Sequence, residues 1–231
     1  WSWALYDFAN SAFTTLVVTF VYAAFFAKGI ALDENAGTNL WSTGITISAL
    51  IVAVLSPFVG AMADKGGYRK KYLGIATAVS VVATIVLFFP QKGDVYFALT
   101  VFIIANVAFE MANVFYNAFL PDIAPAHKIG RVSGYGWALG YIGGLLCLVV
   151  GLVLFVQPDP PLFGLNADTD AQYRATNLLV AVWFTLFSLP LFLFVKDKKV
   201  DNPPPTRQLI KEAKQDLIRV FADVKQYRQV F

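Results

Sequence analysis

Residues 95–120 read VYFALTVFIIANVAFEMANVFYNAFL. This run is long enough to cross a bilayer as a helix, since about 20 residues span ~30 Å of hydrocarbon. Asn106, Glu110, Asn113 and Asn117 interrupt it at steps of four, three and four residues. At about 100° per residue they fall within an arc of roughly 60° and extend over roughly 16 Å of helix. A carboxylic acid near the bilayer midplane costs about 2.5–3.5 kcal/mol, so Glu110 should face a wet cavity or a polar partner and not lipid. The stretch predicts a polar pathway through a membrane.

Composition agrees. Of 231 residues, 58% are hydrophobic and 14% charged, against about 45–50% and about 25% in soluble domains, and mean hydropathy is +0.61. Twenty-one Phe, ten Tyr and five Trp argue against a disordered tail, and a net charge of +3 argues against a nucleic-acid partner. Cys147 is the lone cysteine, which excludes an intrachain disulfide and a paired-cysteine metal site and leaves packing as its role. Neither a cofactor nor a metal is expected. The chain opens at Trp1 directly in an apolar span and reads as a piece of a longer protein.

Six runs have spanning length: Ala4–Ala27, Ser42–Ala63, Tyr72–Phe89, Val95–Leu120, Ser133–Val156 and Thr176–Val195. Between them lie breaks with turn chemistry at Asp33–Asn39, Asp64–Lys71, Pro90–Asp94, Pro121–Gly130 and Gln157–Arg174. Pro57 and Pro190 fall within spans, where they suggest kinks. One side collects Lys65, Arg69, Lys70, Lys71, Lys128, Arg131, Lys196, Lys198 and Lys199; the other has Lys28, Lys92 and Arg174 among acids. Because short cytoplasmic loops retain Lys and Arg, the N-terminus is expected in the cytoplasm. Residues 1–199 thus form a six-helix transmembrane bundle. Residues 200–231 form a linker: Asp201–Pro205 breaks the chain, Thr206 can cap a helix, and Leu209, Ala213, Leu217, Val220, Phe221 and Val224 repeat at helical spacing. The expected element is an amphipathic helix on the cytoplasmic surface, or a linker helix packed on its own domain.

The most specific local signature is the loop GAMADKGGYRKK at 60–71. It resembles the loop after the second helix of the major facilitator superfamily, whose pattern is Gly, three residues, Asp, a basic residue, any residue, Gly and two basic residues. Gly60, Asp64, Lys65 and Gly67 match in register; Tyr68 stands at the first basic position, and the pair shifts to Arg69 and Lys70. An acid at a helix end beside mobile cations can make charge-assisted contacts in one transport state and break them in another; cations there also set topology. Trp3, Tyr6-Asp7, Ala9-Asn10-Ser11, Phe115–Pro121 and Arg131–Gly144 are similar to the vacuole-effluxer branch, which includes fungal autophagy-related amino-acid exporters and bacterial proteins.

The resemblance implies an all-α membrane protein: the N-terminal six-helix half of a major facilitator fold, built of two inverted three-helix repeats, with a second six-helix half of the same carrier as partner. It further implies secondary active transport of a small solute, amino acids among the candidates, by alternating access, with protons as candidate coupling ion. The site would be an inner bacterial membrane or a fungal vacuolar one. Two departures matter. Many proton-coupled members carry an Arg in the fourth helix, whereas this span has Glu110 and no cation, and Gly140–Gly144 lacks the proline and one residue of the fifth-helix antiporter motif. Gly134, Gly136, Gly140, Gly143 and Gly144 read more simply as small-residue packing that lets helices approach closely.

The first span has its own polar cluster, Asp7, Asn10, Ser11 and Thr14, within roughly 100°. Asp7 lies one turn inside the span and reads equally as a hydrated helix-start acid. The resemblance implies that this cluster and the stripe of the fourth span converge on one cavity. Glu110 is a candidate proton carrier, a candidate seat for a substrate ammonium group, or a structural hydrogen-bond partner of a neighbouring Asn. An intramembrane protease is poorly supported, since His127 is the only histidine and lies in a loop. The GxxxxGK[ST] loop of ATP-driven pumps is absent. The alternative to a carrier is a six-span channel or membrane scaffold.

Overall fold

The computed structural model describes residues 1–197 together with Gln208 and Gln215; within 61–66 and at Ala167 it describes the backbone alone. Apart from Gln208 and Gln215, the amphipathic helix expected beyond Thr206 lies outside the described residues. Among those described, the chain folds into six helical rods: α1 (Ser2–Ile30), α2 (Glu34–Gly66), α3 (Arg69–Val86), α4 (Val95–Ala118), α5 (Ile129–Gly151, extended by Leu152–Val156) and α6 (Ala171–Phe194). Five of the rods are long and apolar enough to cross a membrane. The exception is α3, with 18 residues and Arg69, Lys70 and Lys71 in its first turn.

The rods sit where the apolar runs predict them, with shifted ends. α2 starts at Glu34 and not Ser42, because the Asp33 carboxylate accepts the Ala36 N–H at 2.8 Å and caps the new first turn. The expected break at Asp64–Lys71 shrinks to Gly67 and Tyr68. Gly67 takes φ 68°, the left-handed conformation that ends a helix and that glycine adopts freely. Pro57 and Pro190 lie inside α2 and α6.

α1 is irregular in a way that periodicity does not reveal. It is α-helical over Ser2–Ala12, π-helical over Phe13–Phe20, bent at Val21, α-helical over Tyr22–Phe25 and π-helical again over Phe26–Ile30. Within the first π segment and just before it, Thr15 donates to the Ser11 carbonyl at 2.8 Å and Thr19 to the Thr14 carbonyl at 2.9 Å. Such back-bonding competes with the backbone ladder.

Packing follows a paired scheme. α1 packs on α5 and α6, α4 packs on α2 and α3, and α3 meets α6. Exchanging the triplet α1-α2-α3 for α4-α5-α6 carries α1–α5 into α4–α2 and α1–α6 into α4–α3 and leaves α3–α6 in place, whereas the contact of α2 with the Phe26–Ile30 end of α1 has no counterpart between α4 and α5. The core between them is aromatic: Tyr6, Phe13, Phe26, Phe102 and Phe184 are fully buried, and Trp41 stacks on Phe102 with centroids 3.8 Å apart. Indole N–H groups then fix the rods to one another by donating to backbone carbonyls. Trp41 of α2 reaches Val18 at 3.2 Å, Trp183 of α6 reaches Phe8 at 3.3 Å, and Trp3 of α1 reaches Tyr116 of α4 at 3.1 Å.

Arg174 departs from the sequence reading, which places it in a loop. It lies inside α6 and is only 6% exposed. Its guanidinium donates to the carbonyls of Phe88 at 3.2 Å and Thr169 at 3.0 Å and sits over the Phe88 ring, while Asn177 donates to Leu87 O at 3.3 Å. Two side chains of α6 thereby satisfy orphan carbonyls just past the C-terminal end of α3, where positive charge is favoured. Arg174→Met should lower stability by about 2–3 kcal/mol, the scale of hydrogen bonds from a charged group, or roughly 4–10 °C in the unfolding midpoint. A midpoint unchanged in detergent would show that these caps carry no stability.

Candidate functional site

α1, α4 and α5 enclose a cavity of about 790 Å³. Seven of the eight polar residues of the two stripes line it: Asp7, Asn10, Ser11 and Thr14 from α1, and Glu110, Asn113 and Asn117 from α4. The two stripes touch, for Asn10 Nδ2 donates to Asn113 Oδ1 at 2.8 Å across 103 residues of sequence. Asn106 shares the angular position of the stripe but stands outside the lining and is 6% exposed. It is one turn, about 6 Å, beyond Glu110 along the axis.

Each acid has a distinct setting. Glu110 is half-buried on the cavity wall, with Asn113 one turn away on the same face. Asp7 is half-buried against α5, where glycines leave room for it. A Cβ at Gly136 would lie 3.0 Å from Asp7 Oδ2, and one at Gly140 would lie 3.6 Å from Asp7 Cγ. Ser11 and Thr14 complete the α1 face, while Trp137, Tyr141 and Leu145 form the α5 wall at i, i+4 and i+8. Trp137 is 64% exposed and Tyr141 67%, so these rings border the open side of the cavity. Trp3 and Tyr116 close one end as a stacked pair, centroids 4.4 Å apart. The described lining holds two carboxylates and no Lys, Arg or His. A double-mutant cycle on Asn10→Ala and Asn113→Ala should give a coupling of about 0.6 kcal/mol, typical of interhelical hydrogen bonds in membranes. Additive losses would dissolve the link between the stripes.

The 60–71 loop lies at one end of this cavity. Gly60 packs beside Val114 of α4, a Cβ there falling 3.7 Å from Val114 Cγ1. Asp64 and Lys65 belong to the last turns of α2, and their side chains lie outside the described residues. Arg69 Nη1 reaches the Ala118 carbonyl at 3.2 Å and Asp122 Oδ2 at 2.6 Å, next to the cavity residue Asn117. Lys70 takes a different partner. Its ammonium donates to the Val195 carbonyl at 2.7 Å, and its backbone N–H donates to Asp197 Oδ2 at 3.0 Å. The two adjacent cations thus hold the C-terminal ends of α4 and α6, and Asp197 sits at the N-terminal end of α3, each charge at the helix end that favours it. Spacing alone does not reveal this division of partners.

The family model described as vacuole effluxer Atg22 like matches residues 40–231. An uncharacterised MFS-type transporter of Bacillus subtilis, YxiO, is 30% identical over the whole of this chain and 54% of its own length. An uncharacterised Aquifex aeolicus protein is 27% identical over 82% of this chain and 52% of its own. Autophagy-related protein 22 of Yarrowia lipolytica is 23% identical over 76% of this chain and 37% of its own. No solved structure matches. The chain spans about half the length of the bacterial relatives it matches. With the family match running from α2 through residue 231, the chain belongs to the Atg22-like vacuole effluxer family.

Proposed function

We propose that the complete protein is a secondary active transporter that moves a small solute by alternating access, and that this chain supplies its N-terminal half, a six-helix bundle over 1–199 with a linker over 200–231. The observation that carries the reading is the meeting of two polar stripes, Asp7-Asn10 and Glu110-Asn113-Asn117, in one cavity between apolar rods. α3 is the sixth span in this reading, its basic first turn lying at the membrane surface. The pairing of α1 with α5 and α6, mirrored by that of α4 with α2 and α3, supports a pair of inverted repeats. The distribution of Lys and Arg in the sequence supports a cytoplasmic N-terminus, with Arg69 and Lys70 on the cytoplasmic side in this reading.

The chemistry of the lining points to the solute. Two carboxylates, three asparagines and aromatic walls without a cation favour an amine-bearing molecule, held by charge-assisted hydrogen bonds and ring faces. Amino acids fit this class through their ammonium group, with the carboxylate left to the second half. Gly60, Asp64, Lys65, Gly67, Arg69 and Lys70 are the element that rearranges between states in this reading, which the contacts of Arg69 and Lys70 with the ends of α4 and α6 support. The test is flux into liposomes holding the full-length carrier, with an amino-acid and amine panel. Saturable flux supports the carrier; unitary conductance steps would replace it with a channel. The 1–231 chain alone should bind without completing a cycle.

A further inference from the structure

A second cavity, of about 440 Å³, lies further along the same seam, at the Lys28 end of α1. Ala24, Phe25 and Lys28 of α1, Leu152 and Val156 of α5, and Tyr173 of α6 form its walls, with Asp170 at the start of α6. Phe20 is the one residue that lines both cavities. The two cavities therefore follow each other along one α1–α5 seam, and a single aromatic ring stands where they meet.

The backbone makes that position distinctive. Phe20 is the last residue of the π-helical segment Phe13–Phe20, Val21 is a bend that keeps right-handed dihedrals (φ −94°, ψ −60°), and α-helix resumes at Tyr22. Irregular turns of this kind concentrate at functional points of helices. α5 changes to π-helix at Leu152, where it begins to line the second cavity. The Phe20 side chain is 58% exposed and hence not locked in the core.

The second cavity carries one charge of each sign in its lining, Lys28 and Asp170. Lys28 Nζ is 3.5 Å from Glu34 Oε1, in an exposed pair whose carboxylate lies outside the pocket. Asp170 is then the acid of the second cavity, as Asp7 and Glu110 are the acids of the first. An ammonium group meets a carboxylate on either side of Phe20 and the face of a ring between them, a passage that a cation–π contact eases for cations and not for anions.

We propose that the cavity at the Lys28 end is a second binding station for the amine-bearing solute, and that the Phe20 ring is the partition between the two stations. This rests on the transport reading, so its test reads access without requiring transport. In the full-length carrier with Cys147→Ser, Thr14→Cys reports the central cavity and Ala24→Cys the second one, using a membrane-impermeant methanethiosulfonate reagent added from the Lys28 side. Ala24→Cys should label with Phe20 intact. Adding Phe20→Ala should raise labelling of Thr14→Cys about tenfold or more, the change expected when the reagent stops waiting for a minor open state, while Phe20→Trp should leave it low. Unchanged labelling of Thr14→Cys in Phe20→Ala, or an Ala24→Cys that never labels, overturns the proposal. If Phe20→Ala is not recovered as monodisperse protein, Phe20→Leu takes its place with the same expected rise and the same overturning result. Flux measured in parallel separates the two readings. A carrier that moves no solute while Phe20→Ala opens the seam loses transport and keeps the partition; normal flux with unchanged labelling loses the partition alone.

Discussion

Glu110→Gln in the full-length carrier should abolish accumulation driven by a pH gradient while leaving solute exchange at equilibrium intact. The physical reason is the difference between carrying a proton and providing polarity. Glutamine keeps the size and hydrogen-bonding capacity of the side chain beside Asn113 in the shared cavity but cannot gain or lose a proton. A gradient of one pH unit is worth about 1.4 kcal/mol per proton, or about tenfold accumulation. The wild-type carrier should approach that ratio and Glu110→Gln should stop at unity, with counterflow retained. Asp7→Asn provides the comparison, because Asp7 lies on the opposite wall against the bare backbone of Gly136 and Gly140. If Glu110 seats the ammonium group and carries no proton, the outcome reverses: glutamine weakens binding and counterflow together, and the residual flux still follows the pH gradient. Full accumulation by Glu110→Gln would remove the acid from coupling altogether.

The polar stripe of α4 is legible because helical periodicity fixes which residues share a face. It does not say which rod looks at that face, and no spacing rule pairs Asn10 with Asn113. The family resemblance supplies that expectation, and seven of the eight stripe residues line one cavity. Asn106 shows the limit of angular reasoning, since a residue on the right face can still lie past the end of a cavity. Arg174 shows another. A cation beside a proline-rich break reads as a topological signal, and only the approach of the end of α3 turns it into a buried cap. The π-helical segments of α1 have no sequence signature of comparable clarity, although they set the position of Phe20. The loop at 60–71 is legible as a motif, yet Arg69 and Lys70, neighbours in sequence, hold different helices because successive residues on a helix point about 100° apart.

Small-residue packing on α1 holds for Gly136, Gly140, Gly143 and Gly144 and does not extend to Gly134, which has no described atom within 4 Å of an added Cβ. Gly136, Gly140, Gly143, Gly144 and Gly151 are all buried, and the first four face α1 between Trp3 and Thr15. The closest approach is at Gly143, where an added Cβ would land on the carbonyl oxygen of Phe8. That carbonyl is also the acceptor for Trp183 Nε1 of α6, so a side chain at 143 presses on the point where three rods meet. The obstacle is backbone, which cannot rotate aside as a side chain can. Gly143→Val should therefore force α1 from α5, break the Trp183 contact and cost at least about 3 kcal/mol, the upper range of overpacking in a rigid core, plus the lost hydrogen bond. The expected readout is loss of monodisperse protein in detergent, or an unfolding midpoint lower by roughly 6–12 °C where protein survives. Gly143→Ala should show the same direction with a smaller loss. Gly134→Ala, on the same helix with nothing within 4 Å of its added Cβ, should be neutral or slightly stabilising, since alanine favours helix by up to about 1 kcal/mol. Equal tolerance at 134 and 143 would mean that the α1–α5 seam is not closed by glycine, and Asp7 would lose the close wall that holds it toward the cavity.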